Sequence, residues 1–374
     1  MLTAAQQALL DVAEAKAVHK LHPLAGTGEH GINRPMFAAL AEYGLLGRVF
    51  QPAADTGYER VSAMDLCLLR EGIARHCTEA ETALALQGLG AYPILLAGGT
   101  EVIEQWIPPV AAGEIAAGFA LTEPDAGTDV ASLELAATRD GDGFRLTGTK
   151  TYISNAPDAG VYSVFARTTA DAGAKGITAF AVPGDAAGLS GERIDLLTPH
   201  PIGTLRFDDV YVPAGGVLGE VDRGMRVAME TLNLFRPSVG AFAVGMARAA
   251  LDAAVTHCRS RQAFGRSLAE FQGVSHQLAD VATRVEAARL LVYEAASAYD
   301  SGSADVARTS AMAKLFATET AQHAVDVAVQ VHGARALERG HLLEHLYRDV
   351  RAPRIYEGAS EIQREIIARA LFRD

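Results

Sequence analysis

The pattern of hydrophobic spacing changes twice along this chain, and those changes limit its fold more than any single motif. Up to about residue 112 the chain reads as helical. Phe37-Ala-Ala-Leu-Ala-Glu-Tyr and Ala63-Met-Asp-Leu-Cys-Leu-Leu-Arg-Glu carry apolar residues three and four apart, with Gly44, Pro93 and Pro108 as punctuation. From about 115 to 220 the period shortens. Phe144-Arg-Leu-Thr-Gly follows the turn-rich Asp140-Gly-Asp-Gly, and Val161–Ala166, Ile177–Val182 and Leu205–Val212 read as strands ended by Gly, Pro or Asp. After Gly224 helical spacing returns. Val244, Ala247, Leu251, Val255 and Cys258 form one stripe, and Leu278, Val281, Val285, Ala288 and Val292 form another. Long helices of this kind suggest a four-helix bundle. The expected architecture is α+β: an N-terminal helical domain at 1–113, a small antiparallel β domain or barrel at 114–222, and a C-terminal bundle at 223–374.

Composition excludes some function classes. A formal net charge of −12 argues against a general nucleic-acid binder, which needs basic surface to neutralise phosphates. No run of about 18 apolar residues suggests a membrane span, and Asp11 and Glu14 break any leader-like apolar core near the N-terminus. The three cysteines, Cys67, Cys77 and Cys258, suit neither a disulfide framework nor a zinc site, so a reducing cytoplasm is the expected setting.

Two motif spellings lack the context that gives them meaning. Gly26-Thr-Gly-Glu-His-Gly31 fits G-x-G-x-x-G, but a helical stretch precedes it where a dinucleotide loop needs a strand. His341-Leu-Leu-Glu-His345 spells the inverted zinc-protease order, yet it follows Gly340 directly and no third ligand stands nearby, so a helix start is expected and no metal.

Four segments hold residue types suited to chemistry, each with a plainer alternative. Phe119-Ala-Leu-Thr-Glu-Pro-Asp-Ala-Gly-Thr-Asp129 offers hydroxyls and backbone N–H groups to a ligand, or forms a capped turn. Lys150-Thr-Tyr-Ile-Ser-Asn155 makes a flat, polar-edged wall for an aromatic group, or an ordinary strand-to-turn junction. Arg259-Ser-Arg-Gln-Ala-Phe-Gly265, with Gln272 beyond, ends a helix that starts near Val239; its arginines suit a pyrophosphate clamp or the helix dipole. Arg354-Ile-Tyr-Glu-Gly-Ala-Ser-Glu-Ile-Gln-Arg364 puts Glu357 just before a terminal helix. Ser360 and Gln363 there have capping-box spacing, and Ile362, Ile366 and Ala370 form its inward face. Glu357 is placed for proton transfer, or is a surface acid.

Together, in this order, the segments resemble the acyl-CoA dehydrogenase family over nearly the whole chain. The family's signatures are matched by Ala120–Asp129, by Gln272–Leu291 and by Ile355–Gln363. The resemblance implies FAD between the β domain and the bundle, reaching a neighbouring subunit of a homotetramer or homodimer. Phe119, Leu121, Thr122 and Thr128 would line the flavin or its substrate side, with Tyr152 and Ser154 opposite. Arg261, Phe264, Gln272 and Gln330 would hold the pyrophosphate or adenine end. Asn233, Arg236, Thr128 and Tyr356 would meet the substrate, an acyl-CoA or other acyl thioester. An electron-transfer flavoprotein would accept the electrons.

The implied reaction is α,β-dehydrogenation, with Glu357 taking the α-proton and the flavin N5 taking the β-hydride. An α-proton of a thioester is too weakly acidic for a free carboxylate, so donors on the enolate oxygen must assist; in the family these include the backbone N–H of the base. Some family members carry the base one residue before the position of Arg236, but Phe235 stands there. Three departures stand out: Ala359 where a hydroxyl residue is usual, His332-Gly-Ala-Arg335 with one glycine fewer, and a shortened Thr198–Phe207 stretch near the expected far end of the substrate. An oxygen-reactive oxidase and a dehydrogenase of carrier-protein-bound acyl groups are the alternatives within the fold.

Overall fold

The computed structural model describes residues 2–26, 31–53 and 57–372. Helices α1 (Ala4–Lys16), α2 (Arg34–Glu42), α3 (Leu46–Val49), α4 (Ala63–Ala74), α5 (Thr78–Ala97) and α6 (Thr100–Ala111) come first, with a two-residue-per-strand ladder of β1 (Gln51–Pro52) and β2 (Tyr58–Glu59) among them. Strands β3 (Ala117–Ala120), β4 (Ala136–Asp140), β5 (Gly143–Ser154), β6 (Val161–Arg167), β7 (Ile177–Pro183), β8 (Leu189–Arg193), β9 (Ile202–Val212) and β10 (Val217–Leu218) follow. The chain then returns to helix in α7 (Gly224–Ser260), α8 (Gln272–Asp300), α9 (Val306–His332), α10 (Leu342–Asp349) and α11 (Ser360–Leu371); the short strands β11 (Gln262–Ala263) and β12 (Arg266–Ser267) lie between α7 and α8. The two changes of period in the sequence are changes of secondary structure. Residues 27–30 of the G-x-G-x-x-G spelling lie outside the described residues.

The chain forms two compact units, one of Met1–His22, Ser62–Glu81 and Asn233–Asp374, the other of Pro23–Val61 and Thr82–Leu232. The opening helical stretch is thus shared out. Helix α4 is buried on nearly every side and packs on α1 and α8, so it belongs to the bundle. Helices α2, α3 and α6 group with the sheet.

In the first unit α8 packs along α9, and α9 also carries α10 and α11. Glycines let α7 approach its neighbours closely. A Cβ on Gly240 would lie 2.7 Å from a Val292 methyl on α8, and one on Gly245 would lie 2.6 Å from the Glu71 carbonyl on α4. Glu71, fully buried, accepts hydrogen bonds from Arg248 on α7 at 2.6 Å and from the Tyr293 hydroxyl on α8 at 2.7 Å. Periodicity alone gave no sign of this polar pin. Within the second unit eight strands form one sheet in the order β10-β7-β6-β4-β5-β9-β8, with β3 added beside β6. Pairing is antiparallel except at β3–β6 and β4–β6, which are parallel. Gln87 on α5 ties helix to sheet: its amide donates to the Val110 and Ile115 carbonyls at 3.0 and 2.9 Å and accepts from the Ala117 N–H at 2.8 Å.

Helix α7 is long and apolar enough to cross a membrane by length and composition, and it is the one such helix among the described residues. About 67% of its most apolar window is buried within the fold, which accounts for that apolarity as core packing.

Candidate active site

Glu357 lies in the loop between α10 and α11, and its backbone is bent into the left-handed region at φ 52°. A residue with a Cβ is rarely found there, and such strain persists only where surrounding contacts fix it. Those contacts come from α9 and α11. The Lys314 ammonium donates to the Tyr356 carbonyl at 2.7 Å and to the Gly358 carbonyl at 2.5 Å. The Gln363 amide donates to the same Gly358 carbonyl at 2.8 Å. A Cβ on Gly358 (φ 91°) would sit 2.6 Å from that amide nitrogen, so the position needs glycine.

The terminal helix therefore begins differently from the expected capping box. Ala359 is the N-cap and makes no side-chain cap. Ser360 donates instead to the Glu319 carboxylate on α9 at 3.0 Å, and Gln363 has turned back to the Glu357 loop. Loop and helix start are held by α9 rather than by each other. On α11 the inward positions are Ser360 and Gln363, while Ile362, Ile366 and Ala370 are only half-buried.

The Glu357 residue is half-buried overall, but its carboxylate oxygen Oε2 is out of solvent and has no hydrogen-bond partner among the described residues. Burial raises its carboxyl above the ordinary value, against the opposing fields of Arg70, Lys314 and Arg236. Three cations thus face one acid without a hydrogen bond to it. Arg70, on α4, is held by Glu81 in a buried ion pair and donates to the Ser238 hydroxyl at 2.7 Å. Burial opposes its charge, and Glu81 followed by Glu357 outweighs that effect. Arg236, on α7, is nearly buried, its Nε has no partner among the described residues, and it donates through Nη1 to Asn233 Oδ1 at 3.3 Å. The expected substrate residues Asn233 and Arg236 are therefore a bonded pair, and Arg236 also acts on Glu357. Phe235 beside it is fully buried. Neither Lys314 nor Arg70 was singled out from sequence. A lysine inside a helix with Ala311, Ala313 and Ala317 around it is the faint signal that was available.

The other expected ligands of the bundle unit are exposed. Arg261 follows α7, and its guanidinium has no ion-pair partner among the described residues. Phe264 and Gly265 form the two-residue turn of the β11–β12 hairpin at φ 53° and 81°, the geometry of a type I′ turn. This turn leaves the Phe264 ring 96% exposed. Gln272 opens α8 and Gln330 stands near the end of α9, both exposed. His341 caps α10 by accepting from the Leu343 N–H at 3.1 Å, and His345 bonds Thr78 at 2.7 Å. No cluster of metal-ligating groups is found among the described residues.

In the sheet unit, the loop after β3 is set by a buried ion pair. The Lys150 ammonium, on β5, donates to Glu123 at 2.7 Å and to the Leu121 carbonyl at 2.9 Å. Glu123 also accepts from the Glu134 and Leu135 N–H groups at 2.6 and 2.9 Å. The Thr151 N–H donates to the Thr122 carbonyl at 3.0 Å. These bonds consume the loop's carbonyls and leave the Thr122 and Thr128 hydroxyls without a hydrogen bond among the described residues. Leu121 is buried, Phe119 half-buried against Phe165 at 5.0 Å, and Thr128 exposed. A register shift between Lys150 and Ile153 bulges β5, so that Tyr152 adopts φ 54° and stays 59% exposed. Ser154 shares a hydrogen bond of 2.9 Å with His200 Nε2. His200 belongs to the shortened 198–207 stretch and was not expected at this wall.

Residues 3–114, 118–210 and 222–372 match the models of the acyl-CoA dehydrogenase N-terminal, middle and C-terminal domains. The chain is 36% identical over 351 residues to a cyclohexane-1-carbonyl-CoA dehydrogenase of Geobacter metallireducens, covering 93% of this chain and 91% of that one. Among solved structures it resembles a chain from work on the electron transferring flavoprotein of Acidaminococcus fermentans and flavin-based electron bifurcation, with TM-score 0.94, 33% identity, and coverage of 100% and 99%. It also resembles an FAD complex of PigA, with TM-score 0.93, 27% identity, and coverage of 99% and 98%. The chain belongs to the acyl-CoA dehydrogenase family of oxidoreductases.

Proposed function

We propose that this protein dehydrogenates an acyl thioester, most simply an acyl-CoA, to the trans-2-enoyl thioester, with Glu357 as the base. One observation carries the reading: Glu357 Oε2 is buried, unbonded and raised in proton affinity, on a loop strained to φ 52°. A surface acid before a helix has no reason to be desolvated or strained. A base that must take a weakly acidic proton gains from both.

The residues present fit FAD. Among the described residues Thr122 and Thr128 offer unengaged hydroxyls and Arg261 an unpaired guanidinium suited to a pyrophosphate, while Tyr152 and Phe264 offer exposed rings. Phe119, Leu121 and Ser154 would complete the flavin side, and Gln272 and Gln330 the adenine end. Bound FAD supplies the acceptor for the two electrons leaving the β-carbon. Everything else falls to this chain. Asn233, Arg236, Thr128 and Tyr356 orient the thioester. Arg70, Lys314 and Arg236 favour the ionised form of Glu357 against the effect of its burial. The Glu357 carboxylate takes the α-proton, and its own N–H stabilises the oxygen on which charge develops.

Transfer of the electrons to an electron-transfer flavoprotein is supported by the likeness to the Acidaminococcus chain. Assembly as a homotetramer is supported by exposed apolar groups on the bundle unit, Phe264, Leu371 and Phe372. The three buried cysteines, free thiols all, suit a cytoplasmic setting. Anaerobic titration of the purified flavoprotein with a panel of acyl-CoAs tests the reading. Bleaching of the flavin by one chain class is expected, and no bleaching by any thioester would overturn it.

A further inference from the structure

Lys314 has an environment that loop bracing alone does not explain. It is fully buried in the middle of α9, and no carboxylate lies within ion-pair distance of it among the described residues. Among the described residues its only hydrogen-bond acceptors are the Tyr356 and Gly358 carbonyls, on either side of Glu357. Burying an ammonium against two neutral dipoles is costly, and a methionine fills the same space without that cost. Something must be gained from the charge.

The Tyr356 carbonyl and the Glu357 N–H belong to one planar, conjugated peptide unit. A cation on that oxygen draws electron density from the amide and strengthens its N–H as a donor, an effect enlarged where the dielectric is low. The Glu357 N–H makes no hydrogen bond to the protein among the described residues, so it is free for a ligand. The second bond, to Gly358, together with that of Gln363, fixes the direction of the loop.

Resting on the thioester reading above, we propose that Lys314 is a positioning residue that polarises the Tyr356–Glu357 peptide, so that the Glu357 N–H stabilises the enolate oxygen of the substrate. In that step the α-proton passes to the Glu357 carboxylate. The C–H electron pair moves toward the thioester oxygen, and Lys314 keeps its proton throughout.

The test separates charge from bracing. A 3-oxoacyl-CoA, matched in length to the acyl-CoA that bleaches the flavin fastest, ionises when bound without any redox step. Its near-ultraviolet enolate absorption is titrated against pH on the flavin-loaded protein. Lys314→Met should raise the ionisation midpoint by about one pH unit, or about tenfold less enolate at a given pH. Lys314→Gln, which keeps a donor but no charge, should shift it nearly as far, and Lys314→Arg should remain near wild type. Wild-type midpoints in both neutral variants, or a tenfold shift in Lys314→Arg with flavin retained, would overturn the inference. If Lys314→Met does not fold, the Gln and Arg variants decide by the same criteria. A wild-type protein that ionises no 3-oxoacyl-CoA and is bleached by no acyl-CoA overturns the thioester reading, and this inference with it. Normal ionisation with unmoved variants overturns this inference alone.

Discussion

Two fully buried lysines, Lys150 in the sheet unit and Lys314 in the bundle unit, each clamp a backbone carbonyl at a loop expected to touch ligand. Burial, the largest influence on each, pulls both down to about 8 from the ordinary 10.5. Their partners differ. Lys150 has Glu123 at 2.7 Å, and that carboxylate is satisfied in turn by two N–H groups. Lys314 has only carbonyls among the described residues; the acid that most offsets its burial, Glu357, is not bonded to it. The first arrangement is closed, with every charge matched locally, as expected for a loop that must only keep its shape. The second is open: its counter-charge is Glu357, the residue proposed as the base. A charge kept without a bonded partner marks where function outweighs stability.

The sharpest way to break this contrast is at the acid itself. Glu357→Gln should retain the flavin and lower substrate-driven bleaching by about 10³-fold or more, judged from the usual contribution of a positioned base; stopped-flow absorbance would show it. Because the folded carboxyl holds its proton above the ordinary range, ionised Glu357 costs stability as pH rises through that window, so the same variant should melt slightly higher at neutral pH. Lys150→Met comes next. It strands Glu123 as a buried, unpaired charge and should cost about 3–5 kcal/mol in urea unfolding. Lys314→Met strands the Tyr356 carbonyl alone, since Gln363 still bonds that of Gly358, and should cost less, about 1–3 kcal/mol. Equal losses would erase the distinction between closed and open clamps.

Titration gives a smaller effect with a definite sign. Both lysines bind fewer protons folded than unfolded between about pH 8 and 10.5, so their contribution to stability rises with pH across that window. Either Met variant should flatten the rise, as read from melting temperatures measured at successive pH values. The smallest effect is expected for Tyr152→Ala. An exposed ring at a bulge should change stability by no more than about 0.5 kcal/mol, while flavin is released more readily on dilution.

Much of the fold was legible because period and punctuation are local properties. The strand from Val161 and the stripe of Val281, Val285, Ala288 and Val292 appear where their spacing puts them. Ser360 and Gln363 show where local reading fails. Their spacing fits a capping box, yet Glu319 and the Glu357 loop compete for the same side chains and win. Helix α4 lies within the N-terminal domain match, as its sequence neighbours suggest, and its all-round burial against α1 and α8 is what spacing did not show.

The sequence by itself determined the α-β-α order and the family, and it singled out Glu357 as the acid to propose as base, since each depends on residue types at fixed spacing. The tertiary structure decided what kind of acid Glu357 is. Its raised proton affinity comes from burial, opposed by Arg70, Arg236 and Lys314 on three helices far apart in the chain, and its strained backbone is held by Lys314 and Gln363. Desolvation and Coulomb fields depend on distance in space, and no spacing in the sequence encodes that distance.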